Sequence, residues 1–289
     1  MSGLGAGMSG TVVAAVLAAA LMHAGWNAML KAKGDAFLST VAVAVSAGLL
    51  CALALPWLPQ PAPASWPYIA TSALIHVLYY ALLMATYRDG DVSLAYPLMR
   101  GCAPLIVASF GLAFMGERLG AIQWLSICLI CGGVLAMTGR AWANAAASRR
   151  TTLLALASAC SIAAYTLVDG AGVRLSNAPA AYTMWIFAAT APGVAALAVR
   201  RRRELPPFVR GNPALSGGGA LSVGAYWAAL WAMTQAPVAA VAALRETSIL
   251  FATAIAVLVL RERVAPLQLA GAVLIACGAV VIQLYWNIS

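Results

Sequence analysis

Charge is what this sequence has least of. Of 289 residues, 9% are Asp, Glu, Lys or Arg, where a soluble globular domain carries about 25%. A chain so poor in charge cannot clothe a water-facing surface, which excludes an ordinary soluble enzyme, a nucleic-acid partner and a disordered tail. Histidine is scarce too, at two residues, too few for a metal site unless carboxylates or thiolates join them. No metal and no other cofactor is expected. The sequence has no phosphate-binding loop, no Gly-x-Ser-x-Gly and no His-Glu-x-x-His. ATP-driven transport within this chain is therefore excluded, and no catalytic residue is assigned. The six cysteines (51, 102, 128, 131, 160 and 277) all lie in apolar stretches, so they form no exported disulfide framework. Cys128-x-x-Cys131 has metal or redox spacing, but no His or charge flanks it, and it reads as small residues at a helix contact.

What the sequence does have is apolar length. Hydrophobic residues make up 63% of it and the mean hydropathy is +0.90. Continuous apolar runs of roughly 20 residues are bilayer-crossing helices, because in lipid the backbone must satisfy its own hydrogen bonds. Ten such spans are expected, at about 10–30, 36–58, 66–87, 91–115, 121–139, 151–172, 179–199, 214–234, 238–260 and 266–286. The first lacks the positive leader of a signal peptide and is read as a mature helix. Prolines 56 to 67 break the chain between spans two and three, and Asp89-Gly90-Asp91 makes a tight turn before span four. The longest connector, Arg200 to Pro213, is too short for a soluble domain.

The chain also repeats itself. A slide of 145 residues brings Arg100 onto Arg245, Glu117-Arg118 onto Glu262-Arg263, Gln123 onto Gln268 and Gly133 onto Gly278. A slide of 139 brings Trp26-Asn27 onto Tyr165-Thr166. The expectation is an all-α membrane protein of ten transmembrane helices built as two five-helix repeats, residues 1–145 and 146–289. An odd number of crossings inverts the second repeat, the architecture of many secondary transporters, with the binding site at the repeat interface. Thirteen of the 17 basic residues fall in the odd-numbered connectors: Lys31, Lys33, Arg88, Arg140, Arg149, Arg150, Arg200 to Arg203, Arg210, Arg261 and Arg263. Arg118 and Arg174 alone lie on the other face. The positive-inside rule then places the odd connectors in the cytoplasm and both termini outside it. The preference for Arg over Lys and the abundance of Ala point to a bacterial source, hence its inner membrane.

These features resemble the drug/metabolite transporter superfamily, as a ten-helix member with two EamA-type domains. The resemblance rests on His23-Ala-Gly-Trp-Asn27, Glu117-Arg118, Arg261-Glu262-Arg263 and the glycine-bearing helices that follow, and it spans nearly the whole chain. Arg245-Glu-Thr-Ser248 resembles one bacterial branch. The resemblance implies secondary transport, often export of amino acids or related metabolites, and a central cavity lined by spans one, three, four, six, eight and nine.

Arg100 and Arg245 each lie about 12 Å into a span, where a charge normally faces a cavity or a partner. As symmetry-related cations they would bind an anionic group such as a carboxylate, whose shape a guanidinium fork matches. The alternative is an internal ion pair with Glu246 or Asp169. Glu246, Asp169 and His23 are candidates for proton coupling, and Asp169 is expected near the end of span six. His76, Asn27, Trp26, Tyr79, Tyr80, Tyr165, Tyr226 and Trp227 are candidate substrate contacts, since Tyr and Trp offer both flat apolar faces and donors. Trp57, Trp66, Trp142 and Trp286 read as interface anchors. Pro97 and Pro104 are expected to interrupt span four near Arg100. Gly132, Gly133, Gly271 and Gly278 are expected to allow close helix approach, and the Glu-Arg pairs to pin short loops. The expected partners are a small-molecule substrate and the lipid bilayer, with a single copy as the functional unit. The leading reading is alternating-access transport of a small amphipathic metabolite. An uncoupled facilitator and an intramembrane lipid-modifying enzyme, for which Asp89-x-Asp91 could be a metal motif, are the alternatives.

Overall fold

The computed structural model describes residues 8–31, 35–89, 92–117, 119–137, 149–258, 261 and 265–288. Among these residues every regular element is helical. The first repeat supplies α1 (Gly10–Lys31), α2 (Ala36–Ala54), α3 (Trp66–Asp89), α4 (Val92–Met115) and α5 (Ala121–Ala136). The second supplies α6 (Arg149–Ser176), α7 (Pro179–Leu197), the two-turn α8 (Leu205–Gly211), α9 (Ala214–Met233), α10 (Val238–Arg245), α11 (Ser248–Leu258) and α12 (Pro266–Ile288). Among the described residues eight segments are long and apolar enough to cross a membrane, and Ala121–Ala136 is a shorter apolar helix. The protein is a multi-pass membrane protein. The 20-residue α9 has the length to cross, but Ser216, Ser222 and its glycines dilute its apolar character. The outer helix faces of the protein carry exposed Leu and Phe side chains, as lipid-facing surfaces do.

The connector from Arg200 to Pro213 contains α8, which opens on Pro206 and Pro207 where missing amides cost little. One expectation about the spans needs correction. Span four is not interrupted, since α4 continues through Pro97 and Pro104. The break lies in span nine, between α10 and α11. There the amides of Glu246 and Thr247 bond the carbonyls of Ala243 and Leu244 (2.9 and 3.0 Å), three residues back instead of four. The Thr247 hydroxyl also donates to the Leu244 carbonyl at 2.7 Å. This tightened turn breaks the regular helix without proline.

The packing repeats as the sequence does. α1 lies on α9 while α3 lies on α6; α4 packs on α6 while α1 packs on α10 and α11; α2 meets α7 and α5 meets α12. Each contact maps onto another, or onto itself, when the halves are exchanged. The caps match as well. Gln123 Oε1 accepts from the Gly120 amide at 2.6 Å, and Gln268 Oε1 accepts from the Ala265 amide at 3.0 Å. At the α5–α12 contact a Cβ on Gly133 would lie 2.6 Å from the Gly271 carbonyl and 2.9 Å from Ile275; one on Gly278 would lie 2.6 Å from Ile130 and 2.8 Å from the Ser126 carbonyl. These are the same contacts shifted by 145 residues. Gly132 has open space at its Cβ position, so it is not part of this approach, contrary to expectation. Cys128 is exposed and Cys131 buried, which puts the two thiols in different surroundings.

Candidate functional site

Between the repeats lies a cavity bordered by α1, α2, α3, α4, α6, α7, α9 and α10. The α1 wall is a helical stripe of His23, Trp26, Asn27 and Leu30, the spacing of one helix face. His23 and Trp26 meet edge to face, 5.1 Å apart. The Asn27 amide donates to the His23 carbonyl at 2.8 Å, which fixes its rotamer. Opposite them is an aromatic wall. His76 stacks on Tyr165 at 4.1 Å and stands edge-on to Tyr226 at 5.6 Å. Tyr79 contacts Tyr80 and Tyr165 at 5.6 and 5.9 Å. His76 Nδ1 is 2.9 Å from the Ser72 carbonyl, and a proton donated there leaves Nε2 as the acceptor nitrogen.

The two arginines both border the cavity, but their surroundings differ. Arg100 on α4 reaches across to the break between α10 and α11. Its Nε is 2.9 Å from Glu246 Oε2, and its Nη2 donates to Ser248 Oγ at 3.1 Å. The Nε and Oε2 are close enough for an ion pair but not aligned as a hydrogen bond, so the attraction there is chiefly coulombic. Both side chains are buried. Arg245 ends α10 with its guanidinium carbon 5.4 Å from the centre of the Tyr226 ring, a cation–π contact. Among the described residues no carboxylate lies within ion-pair distance of it.

The repeat explains this difference. Arg100 is partnered by positions 246 and 248. The corresponding positions for Arg245, 145 residues earlier, are Gly101 and Ala103. Neither has a polar side chain, so these positions give the second arginine no counterpart of Glu246 and Ser248.

Asp169 stands behind Tyr226. It is fully buried, and it accepts hydrogen bonds from the hydroxyls of Tyr226 and, at 3.2 Å, Tyr182. Because α6 continues to Ser176, Asp169 lies inside the helix and not near its end as expected. It does not border the cavity, and neither does Glu246. Trp227 is 46% exposed and also lies off the cavity: one residue beyond Tyr226 turns it by about 100°. Arg100, Arg245, Trp26, Asn27, His23, His76, Tyr79, Tyr80, Tyr165 and Tyr226 are brought together.

Sequence reasoning missed α2 and α7, which contribute Thr40, Ala44, Ile186, Phe187 and Thr190. Small and hydroxylic residues in an apolar helix give little sign of which face they use. Thr190 Oγ1 and Trp26 Nε1 are buried without a hydrogen-bond partner among the described residues, so both can bond a guest in the cavity. No group of three metal-ligating side chains occurs among the described residues. Asp91 of the considered metal motif lies outside them, as do Arg118, Trp142, Glu262 and Arg263, and nothing is described of the Trp286 side chain.

A family model described as "EamA-like transporter family" matches residues 10–139 and again residues 149–284. No curated protein matches. A solved structure titled "Crystal structure of protein" is similar in fold, with a TM-score of 0.79 at 19% sequence identity, over 96% of this chain and 98% of the other.

Proposed function

The chain belongs to the EamA-like transporter family, and from that premise we propose that it is a secondary transporter of a small amphipathic metabolite bearing a carboxylate, such as an amino acid. The observation that carries this reading is the unequal pair of arginines. Arg100 is neutralised by Glu246, whereas Arg245 offers the cavity a cation with no carboxylate at ion-pair distance among the described residues. A guanidinium at this depth is costly without an anion, and a substrate carboxylate supplies one. The Tyr79, Tyr165, Tyr226 and His76 rings give flat apolar contact to the rest of the solute. Trp26 Nε1 and Thr190 Oγ1 offer further hydrogen bonds.

Asp169 holds Tyr226 by its hydroxyl and so steadies the ring under Arg245. Proton coupling is assigned to Glu246, Asp169 and His23. Glu246 is the foremost of these, since its charge decides whether Arg100 is neutralised or available. The ten helices cross as two inverted repeats of five. The connectors rich in Arg face the cytoplasm of a bacterial inner membrane, both termini face away from it, and alternating access operates in the direction of export. The chain acts without enzymatic chemistry.

Flux in proteoliposomes tests the reading. Purified protein is reconstituted and screened with amino acids, other carboxylates and amines, with and without a proton gradient. A carboxylate flux driven by the gradient is expected. Carboxylate flux that ignores the gradient replaces coupled transport with facilitation, and lipid turnover with no solute movement would overturn transport altogether.

A further inference from the structure

The cavity is placed asymmetrically along the helices. It borders α1 from Ala19 to Leu30, the N-terminal half of α2 at Thr40 and Ala44, α3 from His76 to Leu83, and α4 at Tyr96 and Arg100. Leu30 is one residue from the end of α1. The cavity therefore reaches toward the face of the Arg-rich connectors. In the other direction it ends at Arg245, about 10 Å from the start of α10. That interval is filled by Val238 to Leu244, Val12, Val16, Ile69 and Met233, all buried.

On this closed face an ion pair crosses between the repeats. Gly116, at φ +66°, turns the chain out of α4. The Glu117 amide folds back onto the Gly111 carbonyl at 3.3 Å. Glu117 Oε1 then accepts from Arg174 Nη2 at 2.8 Å and from the Val238 amide, the first of α10, at 2.9 Å. Arg174 in turn donates to the carbonyls of Met233 (Nε, 2.8 Å) and Ala236 (Nη2, 3.0 Å). Glu117 is buried, with 5% of its side chain exposed. Four elements are thus held at one point: the end of α4 from the first repeat, and the end of α6, the α9–α10 turn and the start of α10 from the second. A second tie runs beside it, where the Ala62 amide donates to the Ser176 carbonyl at 2.9 Å and Trp185 Nε1 to Gln60 Oε1 at 2.8 Å. At the Arg-rich face the cross-repeat pair of Arg201 with Asp35, at 2.8 Å, is about one-third exposed on both sides, where water and salt weaken it.

We propose that the Glu117–Arg174 tie is the lock that keeps this face shut, and that its opening is the step that exposes the cavity to the other side of the membrane. The geometry suits a lock because Arg245 ends the helix whose first amide Glu117 caps. Releasing Glu117 frees the α10 start, and α10 can then swing about the tightened turn at Glu246 and Thr247. This deepens the transport reading, and it needs no transported solute for its test.

The test reads a single cysteine, Ser222→Cys, on the cavity wall in protein whose six native cysteines are replaced by alanine. A charged, membrane-impermeant maleimide is added to one side or the other of oriented vesicles, and modification at position 222 is measured by mass spectrometry. In the otherwise unaltered protein labelling is expected from the Arg-rich face, and about tenfold slower from the closed face. Glu117→Gln is expected to raise the closed-face rate about tenfold, and Arg174→Lys to raise it less. An unchanged closed-face rate in Glu117→Gln protein that still labels from the Arg-rich face would overturn the lock, as would equal rates from both faces without that substitution. If Glu117→Gln does not fold, Arg174→Gln, which leaves Glu117 in place, gives a second reading: a raised closed-face rate is expected, and an unchanged rate in folded protein contradicts the proposal.

Discussion

Arg100 and Arg245 occupy the same place in the two repeats, and the contrast between them shows what duplication preserved and what it released. The helix pairs, the Gln123 and Gln268 caps and the Gly133 and Gly278 contacts are shared by both halves. The side chains that answer the arginines are not. Glu246 and Ser248 serve Arg100, while Gly101 and Ala103 stand at the matching positions. A symmetric scaffold therefore carries an asymmetric charge: one cation is paired within the protein and the other, on the proposed function, is left to a guest.

Removing the carboxylate should have the largest effect on this arrangement. Glu246→Ala leaves Arg100 buried without its anion and is expected to destabilise the protein by about 3–5 kcal/mol, read as a lowered thermal midpoint in detergent. Arg100→Met in the same background should recover much of that loss, since the stranded charge goes with it. The halves can also be made more alike. Ala103→Asp offers Arg245 the carboxylate its half lacks, and carboxylate binding to purified protein should fall at least about tenfold. Unaltered affinity would mean that position 103 does not answer Arg245.

Where the halves agree, their variants should agree too. Gly133→Val and Gly278→Val each push a side chain into the facing helix and are expected to cost about 1–3 kcal/mol, with similar shifts in unfolding temperature. A large loss from one and none from the other would break the repeat relation at this contact. The smallest effect belongs to the exposed pair at the start of α2. Burial opposes ionisation of Asp35, but bonds from the Arg201 guanidinium and the Leu38 and Phe37 amides outweigh it, and its carboxyl is held below the ordinary 3.8. A depressed carboxylate stabilises the fold at pH above that ordinary value and loses the contribution as pH falls through its lower folded value. Asp35→Asn should accordingly lower the thermal midpoint slightly at pH 7, and by progressively less as the pH falls below 3.8.

Much of this was legible from hydropathy and the repeat. Apolar runs placed the helices because the bilayer fixes their length, and the 145-residue slide singled out both arginines before any contact was known. Other features depend on tertiary detail. The turn after Arg245 is made by i−3 bonds and the Thr247 hydroxyl, and no proline or glycine marks it. The prolines of α4 drew attention to the wrong helix because a continuous helix can accommodate them among neighbours. Tyr226 and Trp227 were indistinguishable as candidates, since adjacent aromatics in an apolar helix carry no sign of which one faces inward. Asp169 was misplaced because α6 runs beyond the apolar stretch that defined its span. The partner of Glu117 proved to be Arg174, 57 residues away, a pairing no local motif announces.

The central claim, that Arg245 is the cation reserved for substrate, is tested most directly by titrating purified Arg245→Ala and wild-type protein with the carboxylate that gives the strongest thermal shift. The account predicts that the variant unfolds at nearly the wild-type temperature and binds that ligand at least about tenfold more weakly, the loss of one charge-assisted contact. Wild-type affinity in a folded Arg245→Ala protein would contradict it.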